Sequence, residues 1–237
     1  MSKSKRLASF NGPSTPTSSP VRAQQLPSTP QSPSRNRDVE TPYHRKVRSL
    51  LQDVQNITRT WDALVKIDGR KAITELTDTR TDLDNVLGLV PDQTHPHTRL
   101  VGPRLDIMER CIHDLDSIIS KLRKQFSKLN LIMDNFEELV HEAHKLKGWA
   151  WVQSEPLWCT WTLERFATKM PDLLPPYHRS LQVHTEMVES LRSHSISFEE
   201  SRKILAKWVA QTYLESDEWV AEWEDICAAE IERWNAR

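Results

Sequence analysis

The sequence predicts an all-α protein: an elongated antiparallel helical bundle or coiled coil over residues 41–237, behind a disordered tail over 1–40. Three observations carry that reading. Only five glycines occur in 237 residues, and beyond the tail there are just Gly69, Gly88, Gly102 and Gly148, which leaves few tight turns and favours long helices over sheets. From Leu105 to Ala143 an apolar residue recurs every three or four positions without a miss, the period of one helix face. The first 40 residues hold six prolines, many Ser, Thr and Gln, and almost no large apolar side chains, so they cannot bury enough surface to offset their chain entropy.

The tail is basic. Residues 1–37 carry +6, from Lys3, Lys5, Arg6, Arg22, Arg35 and Arg37, against −1 for the whole chain, so the remainder is acidic. Ser/Thr-Pro dipeptides fall at Thr15, Ser19, Thr29, Ser32 and Thr41. Ser19 and Ser32 continue as Ser-Pro-x-Arg, the pattern read by proline-directed kinases of the cyclin-dependent class, and are the candidate phosphorylation sites. Phosphate there would add about −1.5 to −2 charge beside arginine; a Ser/Pro-rich tail also generates such dipeptides by chance.

Six helices are expected, at about 42–67, 70–88, 104–147, 161–193, 198–213 and 217–235. Val47, Leu50, Val54, Ile57, Trp61 and Leu64 form the first stripe. Asp68-Gly69 interrupts it, and Ile73, Leu76, Leu83 and Leu87 resume in another register. Leu89 to Pro103 reads as a loop. The 104–147 helix runs through Leu115, Leu122, Phe126, Leu129 and Phe136 to Gly148; Cys111, Ile118, Ile132 and Leu139 widen its stripe, so it should meet several partners. Thr160 is expected to cap a helix starting at Trp161, which Pro171, Pro175 and Pro176 kink or interrupt. Ser197 and Ser216 are expected to cap the last two helices, the final one striped by Trp219, Trp223, Ile226/Cys227, Glu230/Ile231 and Trp234.

Little in the chain points to chemistry. Glu138 and His141 match the Glu-x-x-His element of di-iron bundles, but only one copy exists, and with Val140 on the core both fall on the outer face. His95-Pro96-His97 offers two ligands in a loop with no companions. There is no phosphate-binding glycine loop, GxSxG elbow or Walker A sequence. The three cysteines, 111, 159 and 227, include no CxxC pair and read as ordinary thiols of a reducing compartment. No catalytic residue, cofactor or metal is expected. A net charge of −1 argues against direct nucleic-acid binding, no apolar run is long enough for a membrane helix, and the N-terminus lacks the apolar stretch of a secretory signal.

Four of the nine tryptophans lie in "GWAWVQSEPLWCTW", 148–161. Exposed together they would make a patch of about 600–1,000 Å², more than a typical monomer shows. Trp158 and Trp161 are expected to fold back on the bundle end. Trp149 and Trp151, following Gly148, are candidates for a partner pocket, since Trp is enriched among interface hot spots.

"PLWCTW" (156–161), "YHRSLQVHTEMVESLRSH" (177–194) and "WVAQTYLESDEW" (208–219) together resemble the cyclin-dependent kinase 2-interacting protein family. "ITRTWDALV" (57–65) is similar to that family's first helix. The resemblance covers about 43–88 and 104–234, tightly over 156–219. Two features depart from it: the Pro-rich N-terminus, and Pro171, Pro175 and Pro176 in a helix that is continuous in the relatives. The resemblance marks Trp61, Pro156, Leu157, Trp158, Thr160 and Trp161 as a structural motif. Trp208, Tyr213, Glu215 and Asp217 join Trp149 and Trp151 as candidate partner-binding residues. It implies a non-enzymatic adaptor, nuclear and also cytoplasmic. Such an adaptor pairs with a helical partner in an AAA-type ATPase complex linked to ribosome maturation and to DNA replication and genome maintenance, with cyclin-dependent kinase association. The alternative from the residues alone is a homodimeric coiled-coil tether.

Overall fold

The computed structural model describes residues 40–91, 98–193 and 196–235. The expected tail with Ser19 and Ser32, the His95-Pro96-His97 pair and the side chain of Trp234 lie outside them. The described residues are helical with no strand among them, as the sequence predicts.

Helix α1 (Pro42–Ala63) starts on a proline, whose missing N–H would be unpaired there anyway. It buries Val47, Leu51, Val54, Ile57 and Trp61. The expected interruption at Asp68-Gly69 is not a break. A π-helical segment, Leu64–Gly69, joins α1 directly to α2 (Arg70–Gly88), and its wider turn produces the change of register. Gly69 keeps right-handed helical angles. Its role is space: a Cβ there would sit 2.5 Å from the Trp208 ring.

Helix α3 spans Thr98–Lys147 and packs against α1, α2 and, through its widened stripe, α6 (Leu174–Leu191). It begins six residues earlier than expected, because Pro103 lies near its start and forfeits only one backbone bond there. Leu115, Leu122, Leu129 and Phe136 are fully buried, whereas Phe126 is half-buried against His178. Glu138 and His141 are exposed on the outer face. Gly148 ends α3 with φ 84°, a conformation that favours glycine.

The region expected as one helix over 161–193 is three elements. Thr162, not Thr160, caps α5 (Leu163–Lys169), accepting from the Arg165 N–H at 3.2 Å. A 3₁₀ turn, Met170–Leu173, carries Pro171, and Pro175 and Pro176 sit in the first turn of α6. All three prolines therefore occupy positions whose N–H no helix needs. Helix α7 (Phe198–Ala210) is capped by Ser197 as expected. It stops at Gln211, whose φ of 42° begins a short α8 (Thr212–Glu215). The cap of α9 (Glu218–Asn235) is Asp217 rather than Ser216: Asp217 Oδ1 accepts from Val220 N–H at 3.0 Å, while the Ser216 hydroxyl donates back to the Thr212 carbonyl. Asp217 is the residue immediately before the first helical residue, the position from which a side-chain oxygen reaches the N–H three residues on. α4 is the single turn and a half at Trp149–Ser154.

Candidate interaction site at the end of the long helix

The two halves of the 148–161 stretch part ways immediately after Gly148. Residues two apart on a helix point about 200° away from each other, so Trp149 and Trp151 on α4 cannot share a surface. Trp151 turns inward, half-buried, with its ring 5.3 Å from Tyr43. Trp149 turns outward and is 45% exposed, edge-on to His144 at 5.3 Å. Leu146, 70% exposed, lies three residues before it. Both large apolar side chains are thus exposed where α3 ends and α4 begins.

The 155–162 loop does the opposite. Its backbone closes on itself through the Leu157 N–H, which donates to the Trp161 carbonyl at 2.9 Å, and through a bridge between Pro156 and Thr162. That closure aims three successive N–H groups at one point, and a single carboxylate from α9 fills it. Glu230 Oε2 accepts from Cys159, Thr160 and Trp161 N–H at 3.0, 2.8 and 3.1 Å, and Oε1 accepts from the Thr160 hydroxyl. The Cys159 thiol donates to the Glu230 carbonyl. Glu230 is only 8% exposed. Burial, the largest influence, pushes its pKa up, but the Thr160 hydroxyl and the three N–H groups together outweigh it and hold the carboxyl below its usual range. The arrangement is a backbone anion nest occupied by the protein's own side chain.

Aromatic rings surround the nest. Trp161 stacks on Trp219 of α9 (5.9 Å between centroids, 10° between planes), touches Phe166, and carries the Arg165 guanidinium over its face at 4.7 Å. Trp158 meets Phe166 and His44 edge-to-face. His44 ties the loop to α1: its Nε2–H donates to the Leu157 carbonyl while Nδ1 accepts from Thr41. Burial, first among the influences, keeps its pKa below the ordinary imidazole value.

The other expected partner-facing residues scatter. Trp208 is 0% exposed and belongs to the interior: its indole N–H donates to the Val65 carbonyl of the π segment at 3.0 Å, and its own carbonyl lies 3.2 Å from His184 Nε2. It sits there because its volume fills the space Gly69 leaves. Tyr213 and Glu215 are exposed on α8, and Asp217 is occupied in capping α9. The motif residues Trp61, Leu157, Trp158 and Trp161 are buried, Pro156 is half-buried, and Thr160 is exposed with its hydroxyl turned to Glu230. Trp61 lies edge-on to Tyr177 at 5.1 Å. Cys111 and Cys227 are buried, and burial pushes their thiols up to about 11 and about 12, values that suit core side chains. The sequence reading gave no role to His44, and it placed Glu230 on the α9 stripe without a partner. A carboxylate on an otherwise apolar stripe was the available signal.

Comparison of the chain with protein-family models and with curated proteins yields no match.

Proposed function

We propose that the protein is a non-enzymatic helical adaptor that presents the Leu146–Trp149 edge to a helical partner protein. The supporting observation is Trp149 itself, half out of the surface at the closed end of a 50-residue helix whose inner face is otherwise consumed. On the resemblance of 156–219 to the cyclin-dependent kinase 2-interacting protein family, the adaptor serves an AAA-type ATPase complex, with cyclin-dependent kinase association. Its setting is nuclear, at ribosome maturation and DNA replication. The buried seam of α3 argues against the homodimeric tether: Leu115, Leu122, Leu129 and Phe136 are covered within one chain and are unavailable to a second copy.

Affinity purification of the tagged full chain, followed by mass spectrometry, tests this. A helical protein and an ATPase should co-purify with the wild type and be lost with Trp149→Ala. Identical partners from both proteins, or none from either, would remove the Trp149 edge from the reading.

A further inference from the structure

The buried seam of α2 runs Ile73, Leu76, Arg80 and Leu83 at helical spacing, so a guanidinium stands where the pattern calls for an apolar side chain. Arg80 is only 8% exposed. Its Nη2–H donates to the carbonyl of Leu191, the last residue of α6, where unpaired helix carbonyls favour a cation. Among the described residues, its Nε–H and Nη1–H meet no acceptor. A carbonyl carries no net charge, so Arg80 lacks the counter-ion that a buried charge requires. Its more exposed neighbours each have one: Arg104 pairs with Asp82 at 2.7 Å, Arg110 with Glu75 at 2.9 Å, and Arg192 with Asp116 and Glu189. Burial accordingly pulls the Arg80 pKa down, with Asp84 opposing it through space. Beside the guanidinium lies a cavity of about 210 Å³, walled by Leu76 of α2 and by Met108 and Ile112 of α3, with Arg80, Arg192 and Glu109 completing its lining. That volume is below the roughly 300–1,000 Å³ of pockets that take drug-sized molecules.

We propose that this cavity binds a small aliphatic monocarboxylate, whose charge supplies the missing counter-ion of Arg80 and whose stem lies against Leu76, Met108 and Ile112. The two oxygens of a carboxylate match the parallel N–H groups of a guanidinium. The apolar walls favour an aliphatic stem over a bare inorganic ion, and Glu109, itself negative, disfavours a second charge on the ligand. The site lies outside the adaptor reading and stands or falls without it.

The test titrates the full chain with butyrate at constant ionic strength, followed by calorimetry, with inorganic phosphate as the control anion. Butyrate should bind saturably at one site, and Arg80→Met should weaken it by about tenfold or more. That variant keeps the length of the side chain and removes its charge, a change that buried positions tolerate well. Glu109→Gln, which removes a negative charge from the lining, should tighten butyrate binding. Absence of saturable binding overturns the proposal. So does phosphate binding as well as butyrate, or Arg80→Met binding butyrate as the wild type does, either of which means an adventitious ion only. If Arg80→Met fails to fold, Glu109→Gln decides: tighter binding supports the proposal, and unchanged or weaker binding overturns it. A fall in melting temperature with that unchanged binding would identify Glu109 as the counter-ion of Arg80.

Discussion

Trp149 and Trp161 stand twelve residues apart in one tryptophan-rich stretch and have opposite fates. Trp161 is enclosed by Phe166, Trp219 and Arg165, and its backbone N–H is held by Glu230. Trp149 touches His144 and is otherwise turned outward. Nothing in the immediate sequence of either residue dictates this. Trp161 is buried because α9, returning from some sixty residues later, brings a ring and a carboxylate to it. Trp149 is exposed because Gly148 redirects the chain and the inward side of α4 is given to Trp151 and Val152. A tryptophan cluster is therefore not a unit of function; each ring answers to what the fold delivers to it.

The comparison breaks most readily at Trp161. Trp161→Ala should cost about 3–5 kcal/mol through lost burial and a cavity, read as a large drop in melting temperature. If the loss is below about 1 kcal/mol, the α9 contact contributes little and the contrast with Trp149 collapses. Glu230→Gln comes next. It leaves buried N–H donors facing an amide, at about 1–3 kcal/mol for a group left unsatisfied, and the same should be found by denaturant titration.

Acidification sharpens the point. Because the folded-state pKa of Glu230 is depressed, its contribution is complete above the ordinary carboxylate value of about 4.3 and is lost as pH falls through the lower, folded value. The gap in melting temperature between wild type and Glu230→Gln should therefore hold steady from neutral pH to about 5 and close below about 4. A gap that stays constant down to pH 3 would mean that the carboxylate's charge is irrelevant to the nest.

Trp149→Ala marks the other pole. It should change stability by no more than about 0.5 kcal/mol, as surface substitutions do, while weakening partner capture by about 2 kcal/mol or more. Unfolding by this substitution would place Trp149 with Trp161 after all. Trp151→Ala should fall between the two, because its ring packs on Tyr43.

These contrasts also mark what was legible beforehand. The α3 seam from Leu115 to Ala143, the Gly148 stop and the Ser197 cap follow from local periodicity and capping chemistry, which a single chain displays openly. The caps at Thr160 and Ser216 misled because each has a competing residue nearby, Thr162 and Asp217, and the choice depends on where the backbone closes, not on residue type. Phe126 sits on the seam by spacing, yet the fully buried positions are Leu122 and Leu129, and Phe126 stays at the margin with its ring against His178 of α6. The Glu230 nest was out of reach altogether: its donors are backbone groups, which no sequence pattern names, and its acceptor arrives from about seventy positions downstream.

The π segment at 64–69 has a consequence for insertions and deletions. It accommodates one residue more per turn than an α-helix would, and it is held open from both sides, by Gly69 beneath the Trp208 ring and by Val65, whose carbonyl accepts from the indole. Because the widened turn absorbs that extra residue, deleting one between Ile67 and Arg70 lets the segment relax to α geometry with its register kept, whereas inserting one more rotates everything after it by about 100°. Ile73, Leu76 and Leu83, all now facing the core, would swing toward solvent together. Helices α1 and α2 thus tolerate exchange of side chains along their outer face, but the turn between Trp61 and Ile73 has no room for a further residue.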